Sequence, residues 1–306
     1  MTNPEVSVKQ LDEGVRRVTL PLPTGPRHVH CYIVGGTLFD TGIGLEPPPW
    51  RDLGVERIAI THFHPDHVGG AEAAAAETGA TVYQGALDYA QCERVWGSAD
   101  WPERIADWFV THGVPEPLVN DLIVQGHAFA PFIRFARDPE LLYEGSDLDG
   151  WEVVELPGHA DGHLGFLRDG ALIAGDHLLA RITPAVGLYP ESRPDPLGDY
   201  LASLERTIEL APRVVYPGHG EPIDDAAGRA QEIIEHHRRR LDAVFSALST
   251  DPHSGFDISH AVFGAELSPQ QRRFAVAETL SHLERLVREG RAARAGDARS
   301  VTYTAP

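Results

Sequence analysis

Apolar positions in the first 85 residues come in short alternating runs separated by turn residues, a pattern typical of β-strands. Strands are predicted at VSVKQL, RRVTLPL, HVHCYIVGG, TLFDTG, ERIAIT and ATVYQG, with a helix of small residues over Val68–Thr78. Later strands are predicted at WEVVEL, GFLRDGALIAG and RVVYPG, and a helix over Leu197–Leu210. Strands and helices follow one another in mixed order, without repeating βαβ units, which indicates an α+β fold.

Helical periodicity dominates two other parts of the chain. Between about residues 86 and 144 it carries many aromatic residues and is interrupted by prolines, so we expect a helical insertion. From about residue 229 three amphipathic segments follow, and a short hairpin is predicted around residues 296–297. Helix, helix, helix and hairpin is the order of a winged-helix module. The sequence therefore predicts a main domain over residues 1–228 and a winged-helix-like domain over residues 229–306.

Composition narrows the class of protein. Hydrophobic residues make up 42% of the 306 positions and charged residues 23%, which is ordinary for a globular protein. There is no run of about 18 apolar residues and no apolar segment near the start, so we expect no membrane span, no secretion signal and a cytoplasmic location. Cys31 and Cys92 lie far apart, so a metal would have to use nitrogen and oxygen ligands.

The net charge of −19 is distributed unevenly. From residue 226 onward 11 Arg stand against 10 Asp or Glu, a net of +1, which leaves −20 for residues 1–225. A protein that coats nucleic acid needs clustered Lys and Arg to displace counterions from phosphates. The acidic body therefore argues against a nucleic-acid partner and favours a small-molecule substrate.

Four predicted strands lead into loops that begin with a residue able to bind metal. These residues are His62 after RIAIT, His159 after WEVVELPG, Asp176 after ALIAG and His219 after RVVYPG. Strands lying side by side would gather these loops at one edge of the sheets, and loops on a rigid scaffold are where catalytic groups concentrate.

The segment THFHPDH adds further ligands. In an extended backbone His62 and His64 project to the same side, whereas Pro65 forces a bend that places Asp66 and His67 beside the next helix. Three neutral imidazoles suit one zinc-like ion with a fourth position open for water. We assign His62, His64 and His159 to one ion, Asp66, His67 and His219 to a second, and Asp176 to a bridging position. A single histidine is more often structural, but an ordered set of seven ligands predicts a metal site.

These motifs, H-x-H-x-D-H, PGH, GD and PGHG, follow the order and approximate spacing of the metallo-β-lactamase superfamily, which the chain resembles over roughly residues 5–225 outside the insertion. All seven ligand positions match the family's glyoxalase II-like pattern. The resemblance implies an αββα sandwich and two divalent cations, zinc first, with iron or manganese as alternatives. It also implies hydrolysis by a metal-bridging hydroxide, with Asp66 orienting the hydroxide and receiving its proton, and Asp40 in FDTG supporting the site.

Three further side chains stand close to these motifs. His163 and His177 flank ligand positions in GHADGH and GDH, and either support of the ligands or ordinary packing would explain them. Tyr189 in GLYP would either donate to a developing oxyanion or serve only the structure of its loop.

The last third of the chain resembles metallo-β-lactamase proteins with an appended winged-helix domain, the β-lactamase-like protein 2 group, which includes an endoribonuclease. The segments concerned are DYLASLERTIEL, VVYPGHGEPI, HHRRRLDAVFSAL and TLSHLERLVREGRA. Three functions stay open. Hydrolysis of a small ester, thioester or lactone is favoured; a phosphodiesterase or endoribonuclease is the alternative. A non-enzymatic winged-helix binding protein would predict an eroded metal site, which the sequence contradicts. The sequence leaves the oligomeric state open.

Overall fold

The computed structural model describes residues 6–11, 14–23, 26–44, 48, 50–297 and 299–306. Seven of the described strands form a first sheet in chain order. They are β1 (Ser7–Gln10), β2 (Arg16–Pro21), β3 (His28–Val34), β4 (Thr37–Phe39), β5 (Arg57–Ile60), β6 (Thr81–Gly85) and β7 (Glu140–Leu142). Strands β1 to β4 pair antiparallel and β4 to β7 pair parallel. The carboxyl ends of β4, β5 and β6 therefore meet at one edge.

A second sheet of five described strands has the order β12-β11-β10-β9-β8. Its strands are β8 (Asp147–Leu148), β9 (Trp151–Glu155), β10 (Leu164–Arg168), β11 (Ala171–Gly175) and β12 (Val214–Pro217). Because β9 and β11 each run antiparallel to β10, and β12 runs parallel to β11, the chain leaves β9, β11 and β12 at the same edge.

Nine α-helices lie within the described ranges. They are α1 (Pro65–Val68), α2 (Ala71–Thr78), α3 (Ala86–Val95), α4 (Trp101–Thr111), α5 (Glu116–Phe129), α6 (Pro196–Leu210), α7 (Ala226–Ser246), α8 (Gly255–Phe263) and α9 (Pro269–Arg288). The helix predicted over Val68–Thr78 is divided into α1 and α2 at residues 69–70. No helix in the part of the chain that the structure describes is both long and apolar enough to cross a membrane.

Within the described residues, three clusters of buried apolar side chains join the layers. Between the sheets, the ring of Phe39 lies 5.1 Å from Trp151 and 5.0 Å from Phe166, measured between centroids. A second cluster joins the outer face of the first sheet to α2, and a third joins the outer face of the second sheet to α6, α7 and α9. Helix, sheet, sheet and helix are thus stacked in that order, which confirms the predicted α+β sandwich.

The insertion between β6 and β7 consists of α3, α4, α5 and a short 3₁₀ turn, Ala130–Phe132. The range predicted from the sequence, residues 86–144, extends beyond these helices and includes β7. This strand has three residues and pairs in parallel with β6, with Tyr83 opposite Glu140. A strand this short has no periodicity to distinguish it from the end of a helix.

The chain after β12 contains α7, a short strand β13 (His253–Ser254), α8, α9 and the strands β14 (Ala293–Gly296) and β15 (Val301–Thr304). The last three strands form a small sheet in the order β13-β15-β14. The observed order of helices and hairpin is the predicted one, with β13 in addition; the winged-helix comparison stays a prediction. Ile233 of α7 and Leu280 of α9 belong to the same buried cluster as Leu172 of β11. The C-terminal region therefore shares a core with the main domain.

Candidate metal centre

The ends of four strands bring the predicted ligands to one edge of the sandwich. His62 follows β5, His159 follows β9, Asp176 follows β11 and His219 follows β12. Asp66 and His67 lie in α1, whose first residue is Pro65. The fixed φ of proline suits the first turn of a helix, so this residue ends the extended segment and starts the helix at the point where the ligands must diverge.

The first group of ligand atoms consists of three imidazole nitrogens. Nδ1 of His64 lies 3.0 Å from Nε2 of His62 and 2.9 Å from Nε2 of His159. Burial lowers the pKa of His64 to about 3 and that of His62 well below its ordinary value. Both imidazoles are therefore neutral, which is the form that binds a metal.

The second group contains Asp66, His67 and His219. Oδ2 of Asp66 lies 3.3 Å from Nε2 of His219 and 3.9 Å from Nε2 of His67. Burial alone would lower the pKa of His219, but the carboxylates of Asp176 and Asp66 raise it to about 10. The negative charge of this group thus favours a cation, either a proton on the imidazole or a metal ion in its place.

Asp176 lies between the two groups. Its Oδ1 is 3.5 Å from Nε2 of His67, and its Oδ2 is 3.3 Å from Nε2 of His219 and 3.7 Å from Nε2 of His159. Gly218 makes this approach of β11 and β12 feasible, because a Cβ at that position would lie 2.5 Å from Oδ1 of Asp176. The glycine of the PGHG motif is therefore required by packing against a ligand.

The residues present fit divalent cations. Nε2 of His67 and Oδ1 of Asp176 are buried and have no hydrogen-bond partner among the described residues, although each is a strong polar atom. Such atoms cost free energy unless they are paired, and a metal ion would pair both. Five imidazoles and two carboxylates are also the nitrogen and oxygen donors that zinc, iron or manganese accept.

Hydrogen bonds on the far side of each ring set the ligands' orientation. Nδ1 of His159 donates to the carbonyl of Ala185 and Nδ1 of His219 donates to the carbonyl of His28, each at 2.7 Å. A ring that donates through Nδ1 keeps a lone pair on Nε2, so Nε2 is the atom free to bind metal. Nδ1 of His67 lies 2.7 Å from Oδ2 of Asp40.

Asp40 is placed where the sequence resemblance implies, next to the ligands. Its Oδ1 accepts from the backbone N–H of Thr61 and its Oδ2 from the Thr61 hydroxyl, both at 2.8 Å. The Thr61 hydroxyl is in turn 3.0 Å from Nδ1 of His62. Asp40 has a φ of 61°, a conformation that its side-chain bonds to Thr61 and His67 hold in place. One carboxylate thus connects a ligand of each group.

The three other predicted side chains differ in position. Nε2 of His163 accepts from the backbone N–H of Asp176 at 3.2 Å, so this residue supports a ligand. His177 points away, with Nε2 2.7 Å from the Thr207 hydroxyl of α6. Tyr189 packs over Gly187 beside α9 and belongs to neither ligand group.

Thr61, Asp88 of the insertion helix α3 and Trp96 at the C-terminal end of that helix also contact the centre, and no sequence motif indicated them. The Thr61 hydroxyl donates to Asp40, and Asp88 and Trp96 bond to the backbone of Phe63, which lies between His62 and His64. A buried aspartate in a helix looks, in sequence, like an exposed one, so no local signal identifies Asp88.

Profiles of known families match most of the chain. The profile described as the metallo-beta-lactamase superfamily matches residues 24–219. This chain belongs to the metallo-beta-lactamase superfamily. A second profile, the metallo-beta-lactamase-like C-terminal domain, matches residues 241–304. The family is metal-dependent and hydrolytic, so the two ligand groups lie in a metallo-hydrolase.

Relatives of the superfamily match nearly the whole chain. A Bacillus subtilis protein named probable metallo-hydrolase YqjP is 28% identical, covering 90% of this chain and 93% of its own length. A Drosophila melanogaster β-lactamase-like protein 2 homolog is 24% identical, covering 86% and 83%. The crystal structure of the Thermus thermophilus family protein TTHA1429 superimposes with a TM-score of 0.82 at 33% identity, covering 96% of this chain and 99% of that one. These relatives include both the main domain and the C-terminal region.

Proposed function

We propose that this metallo-hydrolase holds two divalent cations, zinc in the first place, and cleaves a small ester, thioester or lactone. One observation carries the proposal: the two ligand groups meet at Asp176, whose carboxylate oxygens face ligands of both groups at 3.3–3.7 Å. His62, His64 and His159 would hold one cation, and Asp66, His67 and His219 the other. When bound, such a pair of cations makes hydroxide available near neutral pH and polarises the carbonyl that is attacked.

Asp66 is the residue we assign to proton transfer. Its side chain is 24% exposed, whereas that of His67 is fully buried, so this carboxylate lies on the side from which a substrate arrives. Burial opposes ionisation of Asp66, but His67 and His219 lower its pKa to about 2. Asp66 is therefore ionised, so it can orient water by accepting a hydrogen bond from it. We assign it the proton on its position alone, because a carboxylate of this pKa is a weak base.

Charge supports a small substrate over a nucleic acid. Several arginines of the C-terminal region are held in ion pairs with acidic residues. Examples are Arg285–Asp195 at 3.0 Å, Arg291–Asp242 at 2.9 Å and Arg294–Glu284 at 3.4 Å. These cations are partly neutralised and lie on a protein of net charge −19, so they do not form the basic surface that phosphate backbones require.

A phosphodiester substrate is the second candidate. The C-terminal family match and the likeness to β-lactamase-like protein 2 homologs favour it. The group that the last third of the chain resembles includes an endoribonuclease. A cation pair that polarises a carbonyl can equally polarise a phosphoryl oxygen, so the ligand geometry is compatible with both reactions.

One substrate panel tests the proposal. Zinc-loaded, iron-loaded, manganese-loaded and chelator-stripped protein are assayed on thioesters, lactones, aryl esters, bis(nitrophenyl) phosphate and single-stranded RNA. We expect metal-dependent hydrolysis of at least one acyl substrate, with RNA and the phosphodiester turned over far more slowly. Metal-dependent RNA cleavage without acyl hydrolysis would replace the proposal by the second candidate. Absence of metal-stimulated turnover on the whole panel would refute both.

A further inference from the structure

We propose that helix α3, the first helix of the insertion, positions both loops that supply the first ligand group, through Asp88, Gln91 and Trp96. The inference rests on the proposed assignment of His62, His64 and His159 to one cation. Asp88 and Gln91 are three residues apart and therefore lie on one face of the helix. Trp96 is the C-cap residue of the same helix. None of the three belongs to a ligand motif.

Asp88 and Trp96 hold the residue between two ligands. Oδ1 of Asp88 accepts from the backbone N–H of Phe63 at 2.8 Å, and the indole Nε1 of Trp96 donates to the carbonyl of Phe63 at 2.7 Å. Phe63 lies between His62 and His64, so these bonds orient the two peptide groups that join it to those ligands. The separation of the two imidazoles depends on those peptide planes.

The same helix holds the loop of the third ligand. Nε2 of Gln91 donates to Oδ2 of Asp161 at 3.0 Å, and Asp161 lies two residues after His159. Helix α3 and this loop lie close together, since a Cβ on Gly162 would be only 2.4 Å from the backbone nitrogen of Asp88. One rigid helix therefore contacts the loops of all three ligands, and it fixes their mutual distances more firmly than either loop could alone.

Burial makes these contacts costly to lose. Asp88 is fully buried and Gln91 is 4% exposed. Oδ2 of Asp88 also accepts from Nε2 of Gln84 at 2.6 Å. Replacing Asp88 by alanine would leave the partly buried N–H of Phe63 without its acceptor, whereas asparagine keeps a carbonyl oxygen at the same place. Asp88→Ala and Asp88→Asn thus separate loss of the hydrogen-bond acceptor from loss of the carboxyl group.

Metal binding by itself provides the test. Metal-free wild type and the variants Asp88→Ala, Asp88→Asn and Trp96→Phe are titrated with Zn²⁺ against a competing chelator, and with Co²⁺ while the visible absorption spectrum is recorded. Trp108→Phe is the matched control, because the buried Nε1 of Trp108 in α4 has no hydrogen-bond partner in the part of the chain that the structure describes. No substrate is involved, so failure of the proposed hydrolysis would not change the outcome.

We expect Asp88→Ala and Trp96→Phe to raise a Zn²⁺ dissociation constant by about 10- to 100-fold, as loss of residues behind metal ligands usually does. Their Co²⁺ spectra should change in intensity. Asp88→Asn should restore affinity to within about threefold of wild type, and Trp108→Phe should leave it unchanged. Should Asp88→Ala fail to fold, Trp96→Phe alone decides. Wild-type affinity and spectrum in Trp96→Phe, or an equal loss in Trp108→Phe, would overturn the proposal.

Discussion

Acid should destabilise the protein through two buried histidines of the C-terminal region, His237 of α7 and His282 of α9. Both are fully buried, and Nδ1 of His237 lies 3.2 Å from Nε2 of His282. Nδ1 of His282 donates to the carbonyl of Glu278 at 2.7 Å, so its Nε2 is the acceptor in the pair and both rings are neutral. The groups facing them are Tyr200 of α6, His236 and Arg240 of α7 and Glu278 of α9.

The sign and size follow from linkage. Burial lowers the pKa of His237 to about 2 and that of His282 to about 4, both below the ordinary value of 6.5. The unfolded chain therefore binds more protons than the folded one below pH 6.5. The free energy of unfolding consequently decreases as the pH is lowered in that range. At pH 5.5, one unit below the unfolded value, each histidine costs about 1.4 kcal/mol, or about 3 kcal/mol for the pair.

Thermal unfolding at pH 7.5 and 5.5 measures this loss. Substituting His282→Gln keeps an acceptor for His237 and removes one titrating group, so the fall in Tm between the two pH values should shrink by about 2 °C relative to wild type. Other buried histidines titrate equally in both proteins and cancel. His127→Gln, at a side chain that is 51% exposed, should keep the wild-type difference. An unchanged pH dependence in His282→Gln would refute the argument.

Three further predictions concern the metal centre. Asp66→Asn should lower kcat on an acyl substrate by at least about 100-fold while changing Tm by only a few degrees, and an equal loss of folding would show a structural role instead. Asp40→Ala should reduce bound zinc, measured by elemental analysis, by about 10-fold or more at limiting metal, because His67 and Thr61 lose their shared acceptor. Removing metal with a chelator should lower Tm and adding Zn²⁺ should restore it; a Tm indifferent to both would mean that no metal is bound.

Local patterns predict the strands well and place the candidate ligands at strand ends, because both depend on neighbouring residues. Alternation predicted the strands now seen at β2, β3, β9 and β12 within a residue or two. The ligands follow strand ends, so their convergence needed only the rule that parallel strands end at the same edge. Gln91 and Asp161 are 70 positions apart, and no local sequence pattern near either residue predicts their contact. Supports of this kind, unlike ligands, are specified by tertiary packing.

How the C-terminal region packs against the rest of the chain is the other property that sequence periodicity does not predict. The order of amphipathic segments and hairpin predicted a winged-helix-like domain over residues 229–306, and the element order there is the predicted one. Burial adds a core shared with the main domain, since Ile233 and Leu280 belong to the same buried cluster as Leu172 of the second sheet. Amphipathic helices show which face is buried but not what covers that face.

The C-terminal region is also connected to the loop that contacts one candidate ligand, His159. Nδ1 of His159 donates to the carbonyl of Ala185, and three residues later the backbone N–H of Leu188 donates to the carbonyl of Ala277 in α9, at 3.0 Å. The loop that orients a ligand is therefore attached to a helix of the C-terminal region. Because α3 contacts the loop of the same candidate ligand through Asp161, the insertion and the C-terminal region both contact segments that position His159. Changes in either element can thus alter metal binding without touching a ligand.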